Sequence, residues 1–172
     1  MSKKEDQRLK LENMSEYIQL LLSGYVENDQ CYKQFWSRSI YQSIFDLTGP
    51  EAYCTGESTV EALKKPKGNR SKEHWYGGDK FAIELMELAI TDGIPSVEYI
   101  QKFIQTKGTW RYTTKTENRI LRENKQDYSS VSLLVDDPKT KTGFLCLTEK
   151  REGIDPTKNV FPSSWGLEAF WG

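Results

Sequence analysis

Two kinds of hydrophobic pattern divide the chain, and their order limits the fold. Apolar residues recur at helical spacing in several stretches between Leu11 and Ile104, whereas β-rich, alternating residues first appear after Gly108. A doubly wound parallel sheet would need strands that alternate with helices, and the sequence lacks this alternation. The order instead predicts an α+β fold, with N-terminal helices followed by a small antiparallel sheet of about three to four strands.

Residues at the ends of these stretches predict where the helices and strands begin and end. Gly24 is placed to end the first helix, and Ser96 is placed to cap the fourth. The predicted helices cover residues 10–23, 29–47, 79–91 and 97–104, with one more helical turn at 117–122. The run 109–114 predicts a strand, and the runs 131–135 and 144–148 predict a hairpin around Asp, Pro and Gly.

The domain organisation follows from length and local composition. We expect a single domain over residues 1–172, since a hydrophobic content of 37% is enough for one core. Residues 50–72 are rich in Gly, Pro, Ser, Thr and Lys and predict a long basic loop. Residues 155–172 form an aromatic C-terminal tail, which we expect to pack on the domain because its rings would otherwise remain in water.

Composition excludes several classes of function. The net charge of −1 arises from 24 cations and 25 anions, so binding to nucleic acid requires a local patch. Three scattered cysteines and one histidine favour neither a disulfide framework nor a metal site, and we expect no cofactor because no phosphate-binding or dinucleotide-binding motif is present. No window approaches the roughly 20 apolar residues of a membrane span, so we expect no membrane partner and a cytoplasmic location, in the host cytoplasm if the protein is viral.

The stretch from Lys64 to Tyr76 contains the first candidate site. Its cations would each add salt-dependent affinity on meeting a phosphate, and the aromatic pair behind them could stack on unpaired bases. The pattern favours single-stranded nucleic acid as the partner, and the alternative is a solvated loop without a specific ligand. The nucleic-acid-binding candidates are Lys64, Lys65, Lys67, Arg70, Lys72, Trp75 and Tyr76.

The only histidine of the chain, His74, is the first candidate for catalysis. An imidazole that titrates near neutral pH can act as general base or acid, and the neighbouring Glu73 is expected to raise its pKa. Arg111 and Arg119 could stabilise charge that develops on a phosphoryl group, provided that the strand 109–114 folds back beside His74. The alternative is a capping or hydrogen-bonded histidine at a helix entrance.

Residues 70–122 resemble a pattern found in small phage and bacterial proteins, some of which are regarded as nucleases centred on a histidine. A Ser-x-Glu-His segment leads into two helices, and a strand then ends in Thr-Thr-Lys-Thr-Glu-Asn-Arg-Ile-Leu. The residues that carry the resemblance are Glu73, His74, Thr114, Glu117 and Asn118. Relatives of the HNH nucleases usually have a proline soon after the first histidine and a second histidine downstream, both of which are missing. The resemblance therefore implies a metal-independent ribonuclease rather than a metal-dependent enzyme.

Two functions follow from these observations. The first is a nucleic-acid-acting, nuclease-like protein of phage or prokaryotic type, with His74 as general acid or base and the basic loop holding the backbone. The second is a non-catalytic phage accessory or inhibitor protein that binds a host protein through the long loop and the aromatic tail. The sequence alone does not decide whether the chain is an enzyme.

Overall fold

The computed structural model describes residues 1–28, 31–74, 76, 78–124 and 127–147, and these residues fold into two compact units. The first unit contains residues 1–53, 76–109 and 143–147, and the second contains 54–74 and 110–142. The chain passes repeatedly from one unit to the other, so neither is a continuous segment with a composition of its own. Helices precede most of the strands, which confirms the predicted α+β fold class.

The first unit is helical. Its helices are α1 (Lys3–Glu27), α2 (Lys33–Thr48), α4 (Gly78–Thr91) and α5 (Val97–Lys107), and a single 3₁₀ turn covers Glu51–Tyr53. Ser96 caps α5 as predicted, because its hydroxyl accepts a hydrogen bond from the Tyr99 backbone N–H at 3.2 Å. The buried side chains include many residues of the predicted apolar stripes, among them Ile18, Leu22, Ile40, Ile44, Leu85, Ile100 and Ile104.

Gly24 does not end α1, contrary to the sequence prediction. The helix continues to Glu27, and Gly24 faces α2, where a Cβ added to this glycine would come within 2.7 Å of the Trp36 ring. The residue is glycine because two helices approach closely at this point, not because a turn needs a left-handed conformation.

The second unit is built on a four-stranded sheet. Its strands are β1 (Cys54–Thr59), β2 (Ser71–His74), β3 (Trp110–Thr113) and β4 (Leu134–Asp136), in the order β2-β3-β1-β4. The number of strands is as expected, but the sheet is mixed: β3 is antiparallel to β2 and parallel to β1, and β4 is antiparallel to β1. Two helices, α3 (Val60–Leu63) and α6 (Lys115–Glu123), complete the unit.

The predicted long loop 50–72 is mostly ordered secondary structure. It contains β1, α3, a 3₁₀ turn at Lys67–Asn69 and the start of β2. All six residues of β1 are buried, although most are polar, because the strand lies between β3 and β4 in the sheet. Hydrogen bonding of β1 to β3 on one side and to β4 on the other outweighs the weak strand propensity of its residues.

The predicted hairpin 131–135/144–148 does not form. Its first half contributes β4, which pairs with β1 instead. Residues 144–147 contain no strand and lie in the first unit, where the Leu145 N–H donates to the Ala52 carbonyl at 3.0 Å and the Leu147 N–H to the Gln105 carbonyl at 3.0 Å. The predicted aromatic tail 155–172 is outside the described residues.

Candidate nucleic-acid interface

Strand β3 does lie beside β2, as the catalytic hypothesis required. In the antiparallel pairing of β2 with β3, Glu73 lies opposite Arg111 and His74 lies opposite Trp110. Since side chains alternate between the faces of a strand, Glu73 and Arg111 are on one face of the sheet, and His74 and Trp110 are on the other. The predicted cleft with Arg111 facing His74 is therefore not present.

Glu73 and Arg111 belong to a buried network. The Arg111 Nε lies 3.7 Å from the Glu57 carboxylate, and the guanidinium carbon lies 4.7 Å from the centroid of the Tyr128 ring. The Tyr128 hydroxyl donates a hydrogen bond to the Glu73 carboxylate, and burial raises the pKa of Tyr128. Tyr128 thereby connects β2, through Glu73, and β3, through Arg111, to the 3₁₀ turn at Tyr128–Ser130.

His74 is half-buried, and its pKa is lowered to about 4 by burial and, to a smaller extent, by the positive charge of Lys72. The expectation that Glu73 would raise this pKa is wrong, because Glu73 points to the opposite face. The imidazole is therefore neutral at pH 7. A neutral imidazole can accept a proton but holds none to donate as an imidazolium.

Helix α6 has one anchored side and one exposed side. The Glu117 carboxylate accepts hydrogen bonds from the Thr59 hydroxyl at 2.7 Å, from the Thr114 N–H at 2.9 Å, and from Ser132. Burial alone would raise the pKa of Glu117, but these hydrogen bonds outweigh it and lower the pKa. Glu117 is thus part of a capping box with Thr114.

Two further residues of α6 define its position on the sheet and its outer face. The Asn118 amide donates to the Ser71 hydroxyl at 3.0 Å and to the Lys72 carbonyl at 3.2 Å, which fixes the helix against β2. Arg119 is exposed, with its Nε 3.9 Å from Glu123 in the next helical turn. Surface pairs of this kind contribute at most about 1 kcal/mol and leave the arginine accessible.

The basic segment lies over two aromatic rings of β3. The Lys72 ammonium is 4.5 Å from the centroid of the Trp110 ring, and Lys67 and Arg70 are 5.9 and 5.6 Å from that of Tyr112. Both rings are buried. Lys67 and Lys72 therefore place their ammonium groups over buried aromatic rings, although both residues are exposed.

Arg70 holds the basic segment in place. Its Nη1 is 2.7 Å from the Asp137 carboxylate, and both side chains are almost fully buried. Its Nε donates to the Lys65 carbonyl at 3.0 Å, while Asp137 also accepts from the Thr140 hydroxyl at 2.7 Å. Arg70 therefore connects residues 65–70 to the turn that follows β4 and is not a surface cation.

Tyr76 is not at the surface, contrary to the prediction that it stacks on bases. It is buried in the first unit, and its hydroxyl donates to Glu84. Glu84 also binds the ammonium of Lys107, which lies 4.5 Å from the Tyr76 ring centroid and 4.4 Å from that of Phe103. Trp75, the other predicted stacking residue, is outside the described residues.

Charge is distributed unevenly over the described part of the second unit. Four of its carboxylates, Glu57, Glu73, Glu117 and Asp137, are buried, and four others, Glu61, Glu123, Asp127 and Asp136, are exposed. We use the term cationic surface for its nine exposed lysines and arginines, which are Lys64, Lys65, Lys67, Lys72, Lys115, Arg119, Arg122, Lys139 and Lys141. The near-zero net charge concealed this excess, because sequence does not reveal which carboxylates are buried.

Among the described residues, no cluster of three or more His, Cys, Asp or Glu side chains could hold a metal ion. None of the described helices is both long enough and apolar enough to cross a membrane. A scan against protein-family models found no match, and searches of curated proteins and of solved structures found none either.

Proposed function

We propose that the protein acts on nucleic acid by holding the sugar–phosphate backbone on the cationic surface of the second unit. The observation that carries the proposal is the excess of nine exposed cations over four exposed carboxylates in the described part of this unit. Lysine and arginine that neutralise phosphates release counterions, and this release supplies most of the affinity in binding without sequence preference.

The hydrogen bonds and ion pairs within the unit fix the elements that carry these cations. Asn118 ties α6, which carries Lys115, Arg119 and Arg122, to the backbone of Lys72. Arg119 lies three residues before Arg122 and four after Lys115, so all three side chains lie on one side of the helix. The Arg70–Asp137 ion pair joins the segment of Lys65 and Lys67 to the turn that carries Lys139 and Lys141.

The proposal predicts a specific salt dependence. Lys115→Gln together with Arg119→Gln removes two exposed cations from α6 and keeps residues of good helix propensity. We expect weaker binding of a fluorescein-labelled oligonucleotide, with the slope of log Kd against log salt reduced by about 0.7 to 0.9 for each phosphate that is no longer neutralised. Fluorescence anisotropy between low and physiological salt measures this slope.

The first unit supplies a matched control. Lys4 and Arg8 are also exposed, have the same residue types and the same spacing, and lie on α1. Lys4→Gln with Arg8→Gln should leave both the affinity and the slope unchanged. Equal losses in the two double variants would indicate a general charge effect and contradict the proposed surface.

The finer hypothesis, hydrolysis by His74, receives less support than binding. The position of Arg111 on the opposite face removes its proposed partner, and a pKa of about 4 leaves His74 neutral but a weak base. A base of this kind would produce an activity that falls as pH decreases through about 4. The hypothesis is wrong if the protein does not cleave single-stranded RNA or DNA, or if the His74→Ala variant still cleaves it.

A second candidate function is favoured by the first unit. Large apolar side chains are exposed on α2 and just before it, notably Tyr32 at 82% and Phe35 at 62%, and Leu20 on α1 is 69% exposed. Apolar surface of this kind is typical of protein-binding sites. This hypothesis keeps the non-catalytic accessory function but moves its binding site from the long loop and the aromatic tail to this apolar surface. A stable protein partner that no longer binds Leu20→Ser or Phe35→Ser would support it. A partner that binds both variants as tightly as the wild type would contradict it.

A further inference from the structure

We infer that the cationic surface recognises the sugar–phosphate backbone and not the bases, and that it therefore binds double-stranded nucleic acid more tightly than a single strand of the same length. This inference rests on the proposed function and names its substrate class. It replaces the single-stranded partner that the sequence pattern favoured.

The aromatic rings near the cationic surface are occupied by other side chains. Trp110 and Tyr112 are buried beneath Lys72, Lys67 and Arg70, and Tyr128 is buried against Arg111. Base stacking, which gives single-strand binders about 1 to 3 kcal/mol per base, requires a ring that a base can reach. The side chains that the described part of this unit exposes are instead rich in lysines and arginines, which bind phosphates.

The spacing of charge on α6 fits a dense row of phosphates. Lys115 and Arg122 are seven residues apart, which corresponds to about 10 Å along a helix at about 1.5 Å per residue. A duplex carries one negative charge per ~1.7 Å of its axis, and each of its two strands contributes one per ~3.4 Å. Over the length of this side of α6, a duplex therefore offers about twice the charge of one of its strands alone.

The backbone segments that carry the cationic surface are anchored to the rest of the unit. Arg70 is fixed by Asp137 and by the Lys65 carbonyl, and α6 is fixed by Glu117 and Asn118. A preorganised surface loses little conformational entropy on binding. A duplex is stiff over about 150 base pairs, so it also loses little conformational entropy on binding. A flexible single strand loses more, because it must be ordered along the surface.

The test compares three ligands of equal length and one label by fluorescence anisotropy with the full chain. They are a mixed-sequence single strand, its duplex, and a single strand in which abasic residues replace the central nucleotides. We expect the duplex to have the lowest Kd and a salt slope steeper than that of the single strand by a factor of at least about 1.3, the ratio for equal numbers of neutralised phosphates. The abasic strand should bind within about twofold of the intact strand, because its phosphates are retained.

Different failures point to different errors. Tighter binding of the single strand than of the duplex, or a large loss of affinity on removal of the bases, overturns the inference while the proposed function stands. No binding to any of the three ligands at low salt overturns both. Lys115→Gln with Arg119→Gln should reduce affinity for all three ligands, and a loss confined to the intact single strand also contradicts backbone recognition.

Discussion

At the scale of single residues, environment rather than identity decided what each candidate side chain does. Glu73 and His74 are neighbours in sequence, yet one is buried with Tyr128 and the other lies on the opposite face beside Lys72. Strand alternation separates them, and this separation reverses the expected direction of the His74 pKa shift. Sequence could identify the only histidine but could not assign its neighbours, because burial and sheet register are set by distant parts of the chain.

His74 makes stability depend on pH in a defined window. Its folded pKa of about 4 is below the ordinary value of 6.5, so between these values the unfolded chain binds more protons, and stability falls as pH decreases. We expect the free energy of unfolding to fall between about pH 7 and pH 5 in the wild type, and to fall less in His74→Gln. Urea denaturation at both pH values measures the difference.

Two buried carboxylates, Glu117 and Asp137, lose their stabilising contributions outside this pH window. The pKa of Glu117 and that of Asp137 are lowered from ordinary values of 4.5 and 3.8, so their stabilising contributions are lost only at lower pH. Identical pH dependence in the wild type and His74→Gln would show that the imidazole is accessible to protons in the folded state.

At the scale of secondary-structure elements, the sequence predicts the helices and strands that depend on local signals. The cap Ser96 and the apolar stripes of α2 and α5 are short-range features, and helices form at the corresponding positions. Strand β1 and the segment 143–147 depend on long-range pairing. Polar strands buried on both sides have no periodic signature, and for this reason β1 was predicted as a loop.

The segment 143–147 packs closely enough on the first unit to be sensitive to one methyl group. A Cβ on Gly143 would lie 2.1 Å from the Ala52 carbonyl oxygen, and backbone atoms cannot move aside as a side chain can. We expect Gly143→Ala to lower the free energy of unfolding by about 1 to 3 kcal/mol, as overpacking does. Thermal or chemical denaturation measures the loss.

Gly68 provides the control for this substitution. Apart from its neighbours in the chain, no described residue has an atom within 4 Å of the position that its Cβ would take, and its backbone does not require glycine. Gly68→Ala should be neutral or stabilise by up to about 1 kcal/mol, because it restricts the unfolded chain. Equal effects at the two positions would contradict the close approach of Gly143 to Ala52.

At the scale of the whole molecule, charge is sorted in a way that composition conceals. Net charge is −1, but in the described part of the second unit half of the carboxylates are buried and most of the cations are exposed. Among the described residues, the exposed large apolar side chains all belong to the first unit. The two candidate functions therefore rely on different units, and variants of one unit can test one function without altering the surface of the other.

The ammonium of Lys107 has a further consequence for chemical labelling. It is enclosed by Tyr76, Phe103 and Glu84, and burial lowers its pKa even though Glu84 opposes this shift. Amine-reactive reagents should modify exposed lysines such as Lys64 at once and Lys107 only when the first unit opens. The rate at which Lys107 is acetylated in the native protein would then measure the rate at which the helical unit opens.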